Sequence, residues 1–89
     1  MDTSVEAITA MITESTKLTM ALEKTADNIR NSKEEASRSW NDEKIREAGE
    51  MIEEMIGELY GESARISRLI PSLQVLKDML IDYLEDRRI

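Results

Sequence analysis

Residues 45–84 read IREAGEMIEEMIGELYGESARISRLIPSLQVLKDMLIDYL. Within this stretch Ile45, Ala48, Ile52, Met55, Leu59, Glu62, Ile66, Leu69, Leu73, Leu76, Leu80 and Tyr83 recur at alternating steps of three and four. Such steps return to one face of an α-helix, and a sustained seven-residue period gives a slightly left-handed seam for a second helix. Glu62 is the one charged member of the series. It is expected to sit at a gap in the stripe or to pair with an arginine, such as Arg65 of a partner. Met51, Ile56, Ile70, Met79 and Leu84 flank the stripe.

The phase persists through Pro71, whose ring removes the hydrogen bond to the Ser67 carbonyl. One long helix kinked near Pro71 therefore fits the pattern better than a loop; a third helix starting at Pro71 is the alternative. Gly57 and Gly61 share a face, and either allow a close helix approach or loosen the helix locally.

Working towards the N-terminus, residues 28–39 (NIRNSKEEASRS) carry no strong apolar residue after Ile29, so a first helix is expected to end in the early to middle thirties. Ser39 and Asp42 have capping-box spacing for the second helix, with Asn41 as a competing cap. In the first helix, Thr3 and Glu6 have the same spacing, and an inward seam runs Ile8, Met11, Ser15, Leu18, Leu22, Thr25, Ile29. That seam is small and polar, which either permits close backbone approach or marks a helix needing a partner.

These readings give an all-α chain in one domain, 1–89: helix one over about 4–34, a turn over about 35–41, and helix two over about 42–86. With no further loop, the architecture expected is an antiparallel two-helix hairpin. Its second helix carries more apolar surface than its first can cover, and leftover apolar surface on a helix marks an interface. A four-helix bundle completed by a second hairpin, identical or related, is expected. The interface is assigned to Ile52, Met55, Ile56, Leu59, Ile66, Leu69, Leu73, Leu76, Leu80 and Tyr83.

Composition narrows the function. The net charge is −7, with the basic residues scattered among acids, so the chain lacks the basic field that holds phosphates or anionic membranes. Neither Cys nor His occurs, which removes thiol nucleophiles, the usual general base and the usual zinc ligands. The acids lie mostly off the apolar stripe and read as a solvated face. No catalytic residue, cofactor or metal is expected. The polar start MDTSVEA is unlike a cleaved signal peptide, and no apolar run is long enough to span a membrane. Synthesis in the cytoplasm is expected, with any export by a route that needs no such peptide.

Trp40 is the single tryptophan, set at the turn among polar residues. Its ring either caps the end of the bundle or anchors a partner. The arrangement resembles the WXG-type small helical proteins of type VII secretion, hairpins with a Trp-x-Gly tripeptide near mid-chain. The matching tripeptide is Trp40-Asn41-Asp42, followed by a helix with Ile45, Ala48 and Ile52 on its inner face. Asp42 stands where the family has Gly, and Ala48 or its neighbours stand where a large aromatic is common. The family's export signal places an acid four residues after a Tyr; Arg87 occupies that place after Tyr83, and Asp86 falls one short. The resemblance implies a secreted substrate or a helical partner of a toxin's N-terminal helices. The missing signal favours the partner, because a complex needs only one signal. The alternatives are a cytoplasmic adaptor, chaperone or neutralising partner unrelated to secretion, or a small polymerising subunit.

Overall fold

The computed structural model describes residues 3–87. Two helices account for nearly all of them: α1 (Thr3–Ser37) and α2 (Glu43–Arg87). They pack antiparallel along their length in a body of 73 × 16 × 12 Å. No strand occurs among the described residues. The expected all-α hairpin is what forms.

The turn is shorter and more tightly closed than its composition suggests. α1 continues to Ser37, past the expected end near residue 34, because local hydroxyls and amides satisfy its last carbonyls. Ser37 Oγ donates to the Glu34 carbonyl at 3.0 Å, Ser39 Oγ to that of Ala36 at 3.2 Å, and the Trp40 N–H to that of Ser37 at 3.0 Å. Ser39 thus finishes α1 rather than capping α2. The cap is Asp42: its Oδ1 accepts the Lys44 N–H at 2.8 Å, and its carbonyl accepts the Arg46 N–H at 3.1 Å. At the other end Thr3 is itself part of α1 and does not cap it.

α2 runs through Pro71 as a single helix. Pro71 and Ser67 are both exposed, so water can reach the carbonyl that the ring leaves without its partner. α2 has 45 residues against 35 in α1 and runs past its start.

The seam between the helices has a strict seven-residue period, with a phase one residue removed from the expected one. In α2 the buried positions are Gly49, Ile56 and Ser63, continued by half-buried Ile70, Lys77 and Leu84. In α1 they are Thr19 and Ala26, in line with half-buried Val5, Ile12 and Lys33, and Ile8 is buried beside them. Ser15, Leu22, Ile29, Ile52, Leu59, Ile66, Leu73 and Leu80, all members of the expected seams, are half-buried along one border. Met11, Leu18, Thr25, Ile45, Ala48, Met55, Glu62, Leu69, Leu76 and Tyr83, assigned to the seams by periodicity, are exposed instead, so of the inner face expected after the turn only Ile52 is partly covered.

Close approach accounts for the choice. Small residues (Gly49, Thr19, Ala26, Ser63) sit at the contact, where a larger side chain would hold the helices apart. The buried hydroxyls are satisfied: Thr19 Oγ1 donates to the Thr16 carbonyl at 2.8 Å, and Ser63 Oγ lies 3.0 Å from Glu23 Oε1 and 3.3 Å from the Thr19 carbonyl. Gly57 and Gly61 play no part in the approach, since a methyl group on either would meet open space. The contact glycine is Gly49, where a methyl group would come within 3.0 Å of Cζ3 of Trp40.

Candidate protein-interaction site

An α-helix turns about 100° per residue, so residues one before and one after the buried column flank the seam on different sides. The two flanks of this hairpin are chemically different.

One flank is bridged by polar contacts along its half nearer the turn, and beside the turn it opens into a recess of about 600 Å³ among Lys33, Trp40, Arg46, Gly49, Glu50 and Glu53. Glu23 accepts from Ser63, and the Tyr60 hydroxyl donates to Asp27. The Arg30 guanidinium lies 5.5 Å from the centre of the Tyr60 ring. Glu53 takes Lys33 Nζ at 2.9 Å and stands 3.9 Å from Arg30. These partners hold the Glu53 carboxyl below its ordinary pKa, chiefly through the Lys33 hydrogen bond. The Asp27 carboxylate that accepts its hydroxyl pushes Tyr60 up.

The other flank is an open apolar groove. Near the turn it is lined by Thr25, Asn28, Ile29, Ser32, Lys33 and Ala36 of α1, Ile52 and Met55 of α2, and the Trp40 ring, around a recess of about 420 Å³. Towards the free ends a recess of about 520 Å³ lies among Ser15, Leu18, Ile66, Leu69, Ile70, Leu73 and Leu76. The lobes differ in relief: α1 gives the first mostly small side chains, whereas bulky leucines project around the second. Between them stands Glu62, joined to Arg65 of its own helix, which holds the Glu62 carboxyl below its ordinary pKa. A partner's arginine is not needed to accommodate Glu62.

Of the ten residues assigned to an interface, Met55, Leu69, Leu76 and Tyr83 are exposed on this side; Leu69 retains 63% of its surface and Tyr83 56%. Ile52, Leu59, Ile66, Leu73 and Leu80 are half-buried at the floor. Ile56 is wholly buried against α1 and belongs to the hairpin's own core. Trp40 is half-buried, closing the turn end of the groove, while Asn41 and Asp42 are exposed. Sequence reasoning misses α1's share of the groove: periodicity places Met11 and Leu18 in the inward seam, yet both are exposed beside Leu69 and Leu76. Their signal is the seven-residue recurrence of Met11, Leu18 and Thr25 as a column separate from Ile12, Thr19 and Ala26.

Among the described residues no cluster of acids is arranged to hold a metal ion, and no helix is long and apolar enough to cross a membrane. Compared with family models, with curated proteins and with solved structures, the chain matches none.

Proposed function

We propose that this chain is a non-catalytic helix-pairing protein whose open groove receives the helices of a protein partner, completing a four-helix bundle. The observation that carries the reading is the contrast between the two flanks. Glu23, Asp27, Arg30, Lys33, Glu53 and Tyr60 bridge one of them along its half nearer the turn, while the other leaves Met11, Leu18, Met55, Leu69, Leu76 and Tyr83 exposed in line. A thin two-helix body gains most by covering that line, because burying a Leu or Met side chain contributes about 1.5–3 kcal/mol.

Within this reading, the narrower role is that of an export partner resembling the WXG-type proteins of type VII secretion. Its support is the hairpin with a tryptophan at the turn, and its weak points are Asp42 and Arg87 where the family has Gly and an acid.

The test is co-expression with the products of neighbouring genes, followed by light scattering. The reading predicts a discrete complex that wild type forms and the paired substitution Leu69→Gln, Leu76→Gln disperses, with helicity unchanged by circular dichroism. A chain that stays monomeric with every candidate, or a complex indifferent to the paired substitution, contradicts it.

A further inference from the structure

The exposed columns of the groove are graded in size along its length. In α1 the column reads Met11, Leu18, Thr25, Ser32, large residues towards the free ends and small ones towards the turn. In α2 it reads Ala48, Met55, Glu62, Leu69, Leu76, with the leucines again away from the turn. The α1 column changes from large to small between Leu18 and Thr25, and the α2 column has its midpoint at Glu62. These two points lie side by side, because Ser63 Oγ is 3.3 Å from the Thr19 carbonyl and 3.0 Å from Glu23 Oε1. One level of the hairpin therefore divides both columns.

We infer that the groove is covered by a second copy of this chain, laid face to face and antiparallel about a two-fold axis at Glu62, with the two turns at opposite ends. This rests on the reading of the groove as a helix-docking site and names what docks. A two-fold contact is self-complementary: where one residue meets another, the same pair recurs with the copies exchanged. About this axis Leu18 of each copy opposes Thr25 of the other, Met11 opposes Ser32, and Leu76 opposes Ala48. Each copy lays its bulky lobe over the small-residue lobe of the other, the large-against-small interdigitation that fills the space between helix layers. Setting both turns at the same end would instead stack Met11 and Leu18 on the leucines of the second copy, and leave Thr25, Ser32 and Ala48 across a gap. α2 is also the longer helix, and the antiparallel arrangement lays its overhang, with exposed Tyr83, against the turn of the other copy beside Trp40. Charge permits the pairing: Glu62 and Arg65 of each copy meet at the axis, two acids with two bases, and Glu14 is already joined to Lys17. A body 73 Å long and 16 Å wide offers a face larger than the ~800 Å² per partner of a standard specific interface.

The experiment uses the chain alone, which has no cysteine, so single introduced cysteines report the geometry. Light scattering should give twice the mass of the chain, with no growth to larger species as concentration rises. Glu62→Cys lies on the axis and should form an intermolecular disulfide on mild oxidation. Spin labels on Glu43→Cys, near the turn, should lie on the order of 60 Å apart, from the rise per residue of two helices running oppositely from Glu62. Leu18→Thr or Thr25→Leu alone should weaken the dimer by about tenfold or more. The two together should restore most of it, because the swap exchanges the opposed sizes. A monomer at every concentration, an open polymer, labels close together at one end, or a double swap no better than its parts overturns the inference. A monomer that still forms a co-expressed complex sensitive to Leu69→Gln with Leu76→Gln overturns the inference and leaves groove docking standing. Insensitivity of every complex, the dimer included, to those leucine substitutions overturns both.

Discussion

Ser63 is buried against α1, whereas Glu62, its immediate neighbour, stands on the open side joined to Arg65. One residue of helical phase separates the hairpin's core from its exposed groove. The same offset holds for Ile56 beside Met55 and for Ile70 beside Leu69. It divides the apolar residues of α2 into a set that holds the hairpin together and a set left open.

That division predicts unequal effects of truncation. Ile56→Ala removes a fully buried side chain and should destabilise the hairpin by about 2–4 kcal/mol in denaturant unfolding. Leu76→Ala, at a half-exposed site, should change stability by less than about 1 kcal/mol. Comparable losses at both sites would contradict the assigned phase.

The glycines give a second test. Gly57→Ala and Gly61→Ala add a methyl group in open space within a helix and should each stabilise by about 0.5–1 kcal/mol. Gly49→Ala should fall short of both, because its methyl group meets the Trp40 ring. Trp40 fluorescence should shift to the red in that variant alone, as the displaced ring becomes better hydrated.

Tyr60 provides a probe of the closed flank at high pH. With Tyr83→Phe leaving it as the sole tyrosine, its absorbance titration should have a midpoint above 10, held there mainly by its hydrogen bond to Asp27. The added variant Asp27→Ala should lower the midpoint. A pKa raised by folding gives stability that is complete below the unfolded value near 10 and is lost as pH rises through the folded value. Wild type should therefore lose stability as pH rises above about 10, and Asp27→Ala should lower stability at neutral pH and remove most of that alkaline fall.

Glu53 reports on the same flank from the acid side. Its folded pKa is depressed below 4.5 by Lys33 and Arg30, so its contribution is present above about pH 4.5 and is lost as pH falls through the folded value. Carbon-13 titration of the Glu53 carboxyl should place its midpoint below 4.5, and Lys33→Met should raise it. A midpoint unmoved by Lys33→Met would contradict the pairing.

Two helices, their antiparallel arrangement, the turn at Trp40 and passage through Pro71 were legible because a seven-residue apolar period sustained from Ile45 to Tyr83 requires a long helix with one face covered. The phase was not. α2 has three adjacent apolar columns, headed by Gly49, Ile52 and Met55, and hydrophobicity ranks the third above the first. Closely approaching helices reverse that ranking, since the column at the contact must be small and the large residues fall beside it. Hydrophobicity alone therefore overlooks Ser63 and Gly49 as core and assigns Ile56 outward. The groove was legible as excess apolar surface on α2, while its polar opposite flank depends on pairs such as Lys33–Glu53 that only the register of the helices reveals.

The methionines offer the most direct test of the groove as the docking face. Met11 and Met55 lie in it, Met51 and Met79 border it, and Met20 points away from it at a similar exposure of 65%. In protein carrying carbon-13 methionine methyl groups, passage from the free chain to the complex detected by light scattering should shift or broaden the signals of Met11, Met51, Met55 and Met79 while leaving Met20 in place. Perturbation of Met20 with the other four unmoved would put the docking face elsewhere and contradict docking in the groove.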